Sequence, residues 1–216
     1  MNINGKIVAV LGDSITEGVG VSSVEKRYTD VFARITNSTV YNYGISGTRV
    51  ARQTTPDDNP RFDLDFIGRV DEMVPNADLV VVFGGTNDFG HGDARFGVFE
   101  DRDEYSFYGA LHILLTKIIK KYPCSRIVFM TPLHRLSEMG DINERGLNRH
   151  LLKDYVMAIK EVCEYYSIPV LDLYSESGLQ PSVEIIKELY MPDGLHPSDK
   201  GAARIAEMLA SFVQRL

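Results

Sequence analysis

Side chains able to perform nucleophilic catalysis stand in four short segments rich in glycine and polar residues. Ser14 is a candidate nucleophile, His196 a candidate general base, and Asp193 a candidate partner for the imidazole ring. Because Asp193 stands three residues before His196, its carboxylate can bind one nitrogen of the imidazole ring and leave the other nitrogen available to a serine. The four segments are Gly12–Gly18, Asn42–Thr48, Gly84–Asp88 and Met191–Ser198.

Three hydrogen-bond donors could accompany this nucleophile. The N–H groups of Ser14 and Gly47 and the side-chain amide of Asn87 would together form an oxyanion hole. Loss of one such donor typically lowers the rate by about 10²–10³. Each segment taken alone is also explained as a turn or a helix cap. It is therefore the combination of segments that indicates catalysis.

The turn after the first apolar run excludes several better-known motifs. Thr16 stands where the nucleophile elbow G-x-S-x-G has its second glycine, which disfavours an α/β-hydrolase. The same turn has neither a P-loop nor a G-x-G-x-x-G motif, and this argues against nucleotide binding.

Five short apolar runs alternate with segments of helical spacing, as in a parallel sheet with crossover helices. The predicted strands are Lys6–Leu11, Val40–Tyr43, Leu79–Phe83, Arg126–Met130 and Ile168–Asp172. The predicted helices are Val24–Ile35, Tyr105–Tyr122, Glu144–Tyr166 and a last helix capped by Ser198. The expected fold class is α/β, a three-layer α/β/α sandwich forming one domain over residues 1–216. Ligands of such sheets bind beyond the carboxyl ends of the strands.

Composition limits the function classes. A chain of 216 residues buries roughly 70% of its unfolded surface and needs no disulfide or metal staple. The formal net charge of −7 argues against a nucleic-acid partner. Cys124 and Cys163 are expected to be small core or near-core residues. The absence of a signal-like start or a long apolar stretch predicts a cytoplasmic protein without a membrane span, and the oligomeric state stays open.

In these segments the chain resembles the SGNH, or GDSL-type, hydrolases. The resemblance covers the family's marker blocks in order, with isoleucine at position 15 where the family name has leucine. It implies a flavodoxin-like fold and a serine esterase or acylhydrolase without metal or other cofactor. By position, it makes Ser14 the nucleophile, His196 the base and Asp193 its partner. The matching blocks are Gly12–Ile15, the block containing Gly47, Gly84–Asp88 and Asp193–Pro197.

The expected reaction is cleavage of a small carboxylic ester through an acyl-enzyme. Two alternatives stay open: an acylhydrolase of the lysophospholipase or thioesterase type, and a non-catalytic module that binds an acylated sugar. The intact set of polar residues in the four segments argues against the binding module.

Substrate residues are expected in two long segments without predicted elements, Gly47–Phe62 and Phe89–Glu104. Their charged and aromatic side chains would suit an acetylated carbohydrate, although a solvated surface loop explains them equally well. The candidate substrate-binding residues are Arg49, His91 and Phe96 in these segments, together with His134, which follows the fourth predicted strand near the same edge of the sheet. His112 is expected to be a packed or helix-surface residue and His150 to lie on a helix surface.

Overall fold

A five-stranded, entirely parallel sheet organises the chain, with the strands in the order β2-β1-β3-β4-β5. The computed structural model describes residues 1–139 and 150–216. This strand order is that of doubly wound folds of the flavodoxin type, and the prediction of a three-layer α/β/α sandwich is confirmed. The strands are β1 (Ile7–Gly12), β2 (Thr39–Gly44), β3 (Leu79–Phe83), β4 (Arg126–Met130) and β5 (Val170–Leu171).

Helices flank the sheet and connect its strands. The shorter ones are α1 (Ser14–Glu17), α3 (Phe66–Arg69), α4 (Thr86–His91), α7 (Leu173–Glu176) and α8 (Glu184–Tyr190). The longer ones are α2 (Tyr28–Thr36), α5 (Phe107–Lys121), α6 (Leu152–Tyr165) and α9 (Asp199–Gln214). Single 3₁₀ turns occupy Val24–Lys26, Pro60–Asp63 and Val70–Glu72.

The hydrophobic core lies in two clusters, one on each face of the sheet. Alternation along β1 sends Ala9 and Leu11 to the face covered by α3, α5 and α6. Val8 and Val10 go to the opposite face, which α2 and α9 cover. The central strand β3 is buried along its whole length, as the near-continuous apolar run predicts.

Two predicted helices include residues that are not helical. In the predicted helix Val24–Ile35, Arg27 has the extended dihedrals φ −56° and ψ 144°, so a 3₁₀ turn precedes α2. In the predicted helix Glu144–Tyr166, residues 150 and 151 are not helical, and α6 begins at Leu152. Leu151 is extended, and its N–H donates to the Asp154 carboxylate at 2.8 Å, which fixes the start. The part of that prediction over residues 144–149 lies outside the described residues.

Three further predictions need correction. The predicted strand Ile168–Asp172 is reduced to Val170–Leu171, because Pro169 has no N–H and the Asp172 side chain caps α7. Cys124 is exposed in the turn before β4, whereas Cys163 is buried as expected. His150 precedes α6 and stacks on the ring of Phe96 at 4.0 Å instead of lying on a helix.

Across the described ranges, no helix combines the length and the apolar character that crossing a bilayer requires.

Candidate active site

Strand register brings three of the four polar segments to one edge of the sheet. Gly12, the last residue of β1, stands opposite Gly44 of β2 and Phe83 of β3. The three strands therefore end level with one another, and Ser14, Gly47 and Asn87 each follow within four residues. We refer to this edge as the carboxyl edge.

Ser14 opens the short helix α1. The Asp13 carboxylate caps this helix by accepting the N–H of Ile15 at 3.0 Å. Ser14 is only 7% exposed, and its own N–H, at the first helical position, has no intrahelical acceptor. The turn thus presents a hydroxyl and an N–H from the same residue at the carboxyl edge.

His196 and Asp193 come to this edge from the loop between α8 and α9. The His196 Nε2 lies 2.9 Å from the Ser14 Oγ. Its Nδ1 lies 2.6 Å from the Asp193 Oδ2. Because a carboxylate only accepts, Nδ1 carries the proton and Nε2 is the nitrogen that can accept from the serine hydroxyl.

The aspartate is itself held by the loop. Its Oδ1 accepts the N–H of Leu195 at 2.9 Å and that of His196 at 2.7 Å. Partial burial raises the pKa of the Asp193 carboxyl, but these N–H donors and the His196 ring outweigh it and lower the pKa below its ordinary value. The carboxylate therefore stays charged in neutral and mildly acidic solution.

The histidine loop is fixed on both sides. Gly194 has φ +79°, and a side chain there would overlap Leu136 of the segment after β4. The Leu136 N–H donates to the Gly194 carbonyl at 2.9 Å. On the other side, a Cβ at Gly20 would overlap the Pro197 carbonyl, so the segment after α1 packs directly against this loop.

Gly47 lies in a turn that only glycine can form at this position. Its φ is +77°, and a Cβ would overlap the Phe62 ring. Within the described part of the chain, no acceptor takes the Gly47 N–H. The N–H is therefore available to a ligand.

Asn87 lies in the first turn of α4. Its Nδ2 donates one hydrogen to the Thr48 carbonyl at 3.0 Å, and the other amide hydrogen remains for a ligand. The structure thus brings Ser14, Asp193 and His196 into contact and places Gly47 and Asn87 on the adjoining strand ends.

A buried charged layer supports these turns. Burial raises the pKa of Asp13 to about 7; the Ile15 N–H and Arg69 lower it, and the neighbouring Asp88 carboxylate raises it further. Burial also raises the pKa of Asp88 to about 6. The N–H groups of Ala51 and Val50, which donate to the Asp88 carboxylate, lower this pKa but do not outweigh burial. The two carboxyls thus titrate close to neutral pH.

Arg69 is a buried cation of this layer, and sequence reasoning missed it. Its guanidinium donates to the Gly12 carbonyl at 3.1 Å, to the Thr48 hydroxyl at 2.8 Å and to the Tyr43 carbonyl. Burial lowers the pKa of Arg69 to about 10, although nearby carboxylates raise it. It lies in a segment without strand or motif signals, so no spacing pattern could have identified it.

The four candidate substrate residues occupy different environments. Arg49 is only 1% exposed and donates to the Phe62 carbonyl and to the His91 ring. Phe96 packs on Phe107 and other aromatic rings. His134 pairs with Glu138 and lies against the Tyr174 ring. Their role in binding substrate stays a prediction.

His112 and the aspartates of the segment after Gly47 also have defined partners. His112 is packed, as expected, and contacts the Phe99 carbonyl and the Tyr166 hydroxyl. The aspartates of the segment after Gly47 bond within the protein: Asp63 accepts the Asp57 N–H, and Asp65 caps α3 and pairs with Arg52. In the described residues no group of three or more candidate metal ligands comes together.

The geometry of the site and the similarity to known proteins indicate the same class of protein. A parallel α/β fold with serine, histidine and aspartate in contact at its carboxyl edge is typical of hydrolytic enzymes as a class. The chain belongs to the GDSL-like lipase/acylhydrolase family, whose model matches residues 10–204.

Individual proteins also resemble this chain. A solved structure from Lactobacillus plantarum is 31% identical, with a TM-score of 0.84 and coverage of 99% of this chain and 98% of that one. A possible lipase from Chitinophaga pinensis shares the fold at 23% identity, with a TM-score of 0.73 and coverage of 97% and 98%. An acetylxylan esterase from Xylanibacter ruminicola is 25% identical over 96% of this chain. The chain spans only 43% of the length of that esterase.

Proposed function

We propose that this protein is a serine esterase that cleaves a carboxylic ester through an acyl-enzyme on Ser14. The observation that carries the proposal is the continuous contact from Ser14 Oγ to His196 Nε2, at 2.9 Å, and from His196 Nδ1 to Asp193, at 2.6 Å. This order of hydroxyl, imidazole and carboxylate is the one that activates serine in hydrolases on unrelated folds.

The reaction begins when Ser14 Oγ attacks the ester carbonyl carbon while His196 Nε2 takes the hydroxyl proton. The resulting oxyanion accepts hydrogen bonds from the N–H groups of Ser14 and Gly47 and from the Asn87 amide. Collapse of the tetrahedral intermediate breaks the ester C–O bond, and the imidazolium protonates the departing alcohol. Asp193 holds the ring tautomer and stabilises the imidazolium without taking the proton.

Deacylation repeats the path with water as the nucleophile. His196 removes a proton from the water that attacks the acyl carbon, and the same donors hold the second oxyanion. The C–O bond to Ser14 then breaks, the serine regains its proton from the imidazolium, and the carboxylic acid leaves.

An acetyl ester of a carbohydrate is the proposed substrate class. Support comes from the relative named as an acetylxylan esterase, which aligns with nearly the whole of this chain. A short acyl group and a polar alcohol would distinguish this activity from that of a lysophospholipase or a thioesterase.

An ester panel with matched variants tests both parts of the proposal. The substrates are acetylated xylo-oligosaccharides, 4-nitrophenyl acetate, 4-nitrophenyl palmitate, a lysophospholipid and an acyl-thioester. We expect wild type to cleave acetyl esters fastest, Ser14→Ala to be inactive, and the exposed control Ser182→Ala to match wild type. Faster cleavage of long acyl chains would overturn the substrate class, and activity in Ser14→Ala would overturn the nucleophile.

Labelling distinguishes an enzyme from a binding module. A fluorophosphonate forms a covalent bond only with an activated serine, so mass spectrometry should find the adduct on Ser14. An unlabelled protein that still binds acetylated saccharides would indicate a module without catalysis.

A further inference from the structure

Glu17 connects the helix of the nucleophile to the turn of an oxyanion donor. It is the last residue of α1, three residues after Ser14. Its Oε2 accepts both the N–H of Ser46, at 2.7 Å, and the hydroxyl of Ser46. Ser46 immediately precedes Gly47 in the chain, so this carboxylate fixes the residue whose carbonyl shares a peptide plane with the Gly47 N–H.

The second oxygen of Glu17 reaches the other side of the same turn. Its Oε1 accepts from the Arg61 guanidinium. The next residue, Phe62, lays its ring against the Cα of Gly47, where a Cβ would overlap it. One carboxylate therefore holds the chain before Gly47 and the segment that packs over it.

The backbone around Glu17 is equally close. A Cβ at Gly44, the last residue of β2, would overlap the Glu17 backbone nitrogen, so α1 lies directly on the end of β2. Partial burial raises the pKa of Glu17, but the Ser46 and Arg61 donors lower it below its ordinary value, and the group stays ionised at neutral pH.

From this geometry we infer that Glu17 is a positioning residue: it sets the direction of the Gly47 N–H relative to the Ser14 N–H, so that both point at one oxyanion. The inference rests on the proposed function. An oxyanion hole contributes mainly when its donors are preorganised, since reorienting a donor during the reaction takes up part of the stabilisation. The sequence alone predicts no role for Glu17, because it belongs to none of the candidate groups.

The test is Glu17→Gln, which keeps the size of the side chain. In the amide an NH2 group, which only donates, replaces one of the two carboxylate oxygens, so either the Ser46 donors or Arg61 lose the acceptor that they have in wild type. We expect kcat for 4-nitrophenyl acetate to fall by about 10- to 100-fold, as for a small misplacement of catalytic groups, with KM within about twofold. Glu164→Gln, which removes an exposed carboxylate on α6, should leave both constants unchanged.

A transition-state analogue separates positioning from a structural role. Phenylboronic acid forms a tetrahedral adduct with the serine oxygen, and its Ki should rise in Glu17→Gln by about the factor by which kcat/KM falls. Ser46→Ala keeps the N–H contact to Glu17 and loses only the hydroxyl contact, so its kcat should fall less. The double variant should be no worse than Glu17→Gln alone, because both changes act through one contact.

Several results would overturn the inference while leaving the proposed function intact. One is wild-type kcat per phosphonate-titrated site in Glu17→Gln, which would show that the glutamate only stabilises the fold. Another is a rise in KM with an unchanged boronate Ki. Full activity in Ser14→Ala would instead remove the proposed function itself.

Discussion

The Asn87 side chain donates to the Thr48 carbonyl at 3.0 Å and so joins the turn after β3 to the turn after β2. The Thr48 side chain is also hydrogen-bonded: its hydroxyl accepts from Arg69 at 2.8 Å and donates to the Ile45 carbonyl at 2.7 Å. Two of the proposed oxyanion donors, Asn87 and the neighbouring Gly47, are therefore parts of one hydrogen-bonded unit.

The first prediction concerns Asn87→Ala. Removal of one donor from a preorganised oxyanion hole should lower kcat by about 10²–10³, while KM changes little because the ground-state carbonyl binds it weakly. Steady-state kinetics on 4-nitrophenyl acetate provides the measurement. The control is Asn76→Ala, an exposed asparagine at the opposite end of the sheet. An increase in KM at constant kcat would mean that Asn87 binds substrate and does not stabilise the oxyanion.

A second prediction concerns Asp193→Asn. The amide oxygen can still accept the Leu195 and His196 N–H groups, so the loop should keep its shape. The imidazole, however, loses the charge that stabilises its protonated form. We expect kcat to fall by about 10²–10³, less than for a fully buried triad aspartate, because the Asp193 side chain is 53% exposed and water screens part of its effect.

Asp58→Asn is the matched control for this change, since it removes an exposed carboxylate from the segment after Gly47. A thermal melt of both variants should overlap that of wild type. If Asp193→Asn retained wild-type kcat, the carboxylate would have no part in orienting the base.

The sequence predicts the fold, and the proximity of the candidate site residues, where two signals coincide. Ser14, Gly47 and Asn87 each follow a predicted strand, and parallel strands bring such positions to one edge. His196 and Asp193 can be recognised as a pair from the sequence, because they stand only three residues apart and their contact needs no long-range folding. Leu79–Phe83 and Arg126–Met130 are predicted with the observed bounds, because polar residues or glycine stand on either side of their apolar runs.

The residues whose roles the sequence does not predict act through contacts between segments that are distant in the chain. Arg69 bonds to residues 21 to 57 positions away, so no local pattern reports it. Likewise, Glu17 contacts Ser46 and Arg61 only after β1 and β2 have paired. The start of α6 at Leu152 follows from a single side-chain contact to the Leu151 N–H, which hydrophobic periodicity does not detect.

A third prediction compares Gly47→Ala with Gly5→Ala. Both glycines have positive φ, +77° and +71°, but only Gly47 lies against a side chain, the Phe62 ring. Gly5→Ala should cost about 1–2 kcal/mol in the free energy of unfolding, for the left-handed backbone alone. Gly47→Ala should cost about 1–3 kcal/mol more, for the overlap with the ring, and should also lose most activity.

Urea denaturation of both variants measures this difference, and ester turnover is followed in parallel. Gly5→Ala should keep wild-type turnover, since that residue lies at the start of the chain, before β1. Equal destabilisation of the two variants would show that the Phe62 ring moves aside without cost.

The fourth prediction is a pH dependence of stability that comes from Asp13. Its pKa is raised to about 7 in the folded protein, mainly by burial, from an ordinary value of 3.8. Between these two values the unfolded chain has released this proton and the folded protein still holds it. The free energy of unfolding therefore falls as pH rises through this window and levels off above it. Asp13→Asn keeps an acceptor for the Ile15 N–H and removes the titration.

Urea denaturation at several pH values between about 4 and 8 tests this expectation. The decline in stability toward neutral pH should be shallower in Asp13→Asn than in wild type, with a residual slope from Asp88, whose pKa is about 6. Asp58→Asn again serves as the control, because it removes a carboxylate from the surface and leaves the buried layer intact. Parallel curves for wild type and Asp13→Asn would mean that Asp13 is already ionised in the folded protein throughout this range, and that Arg69 compensates for its burial.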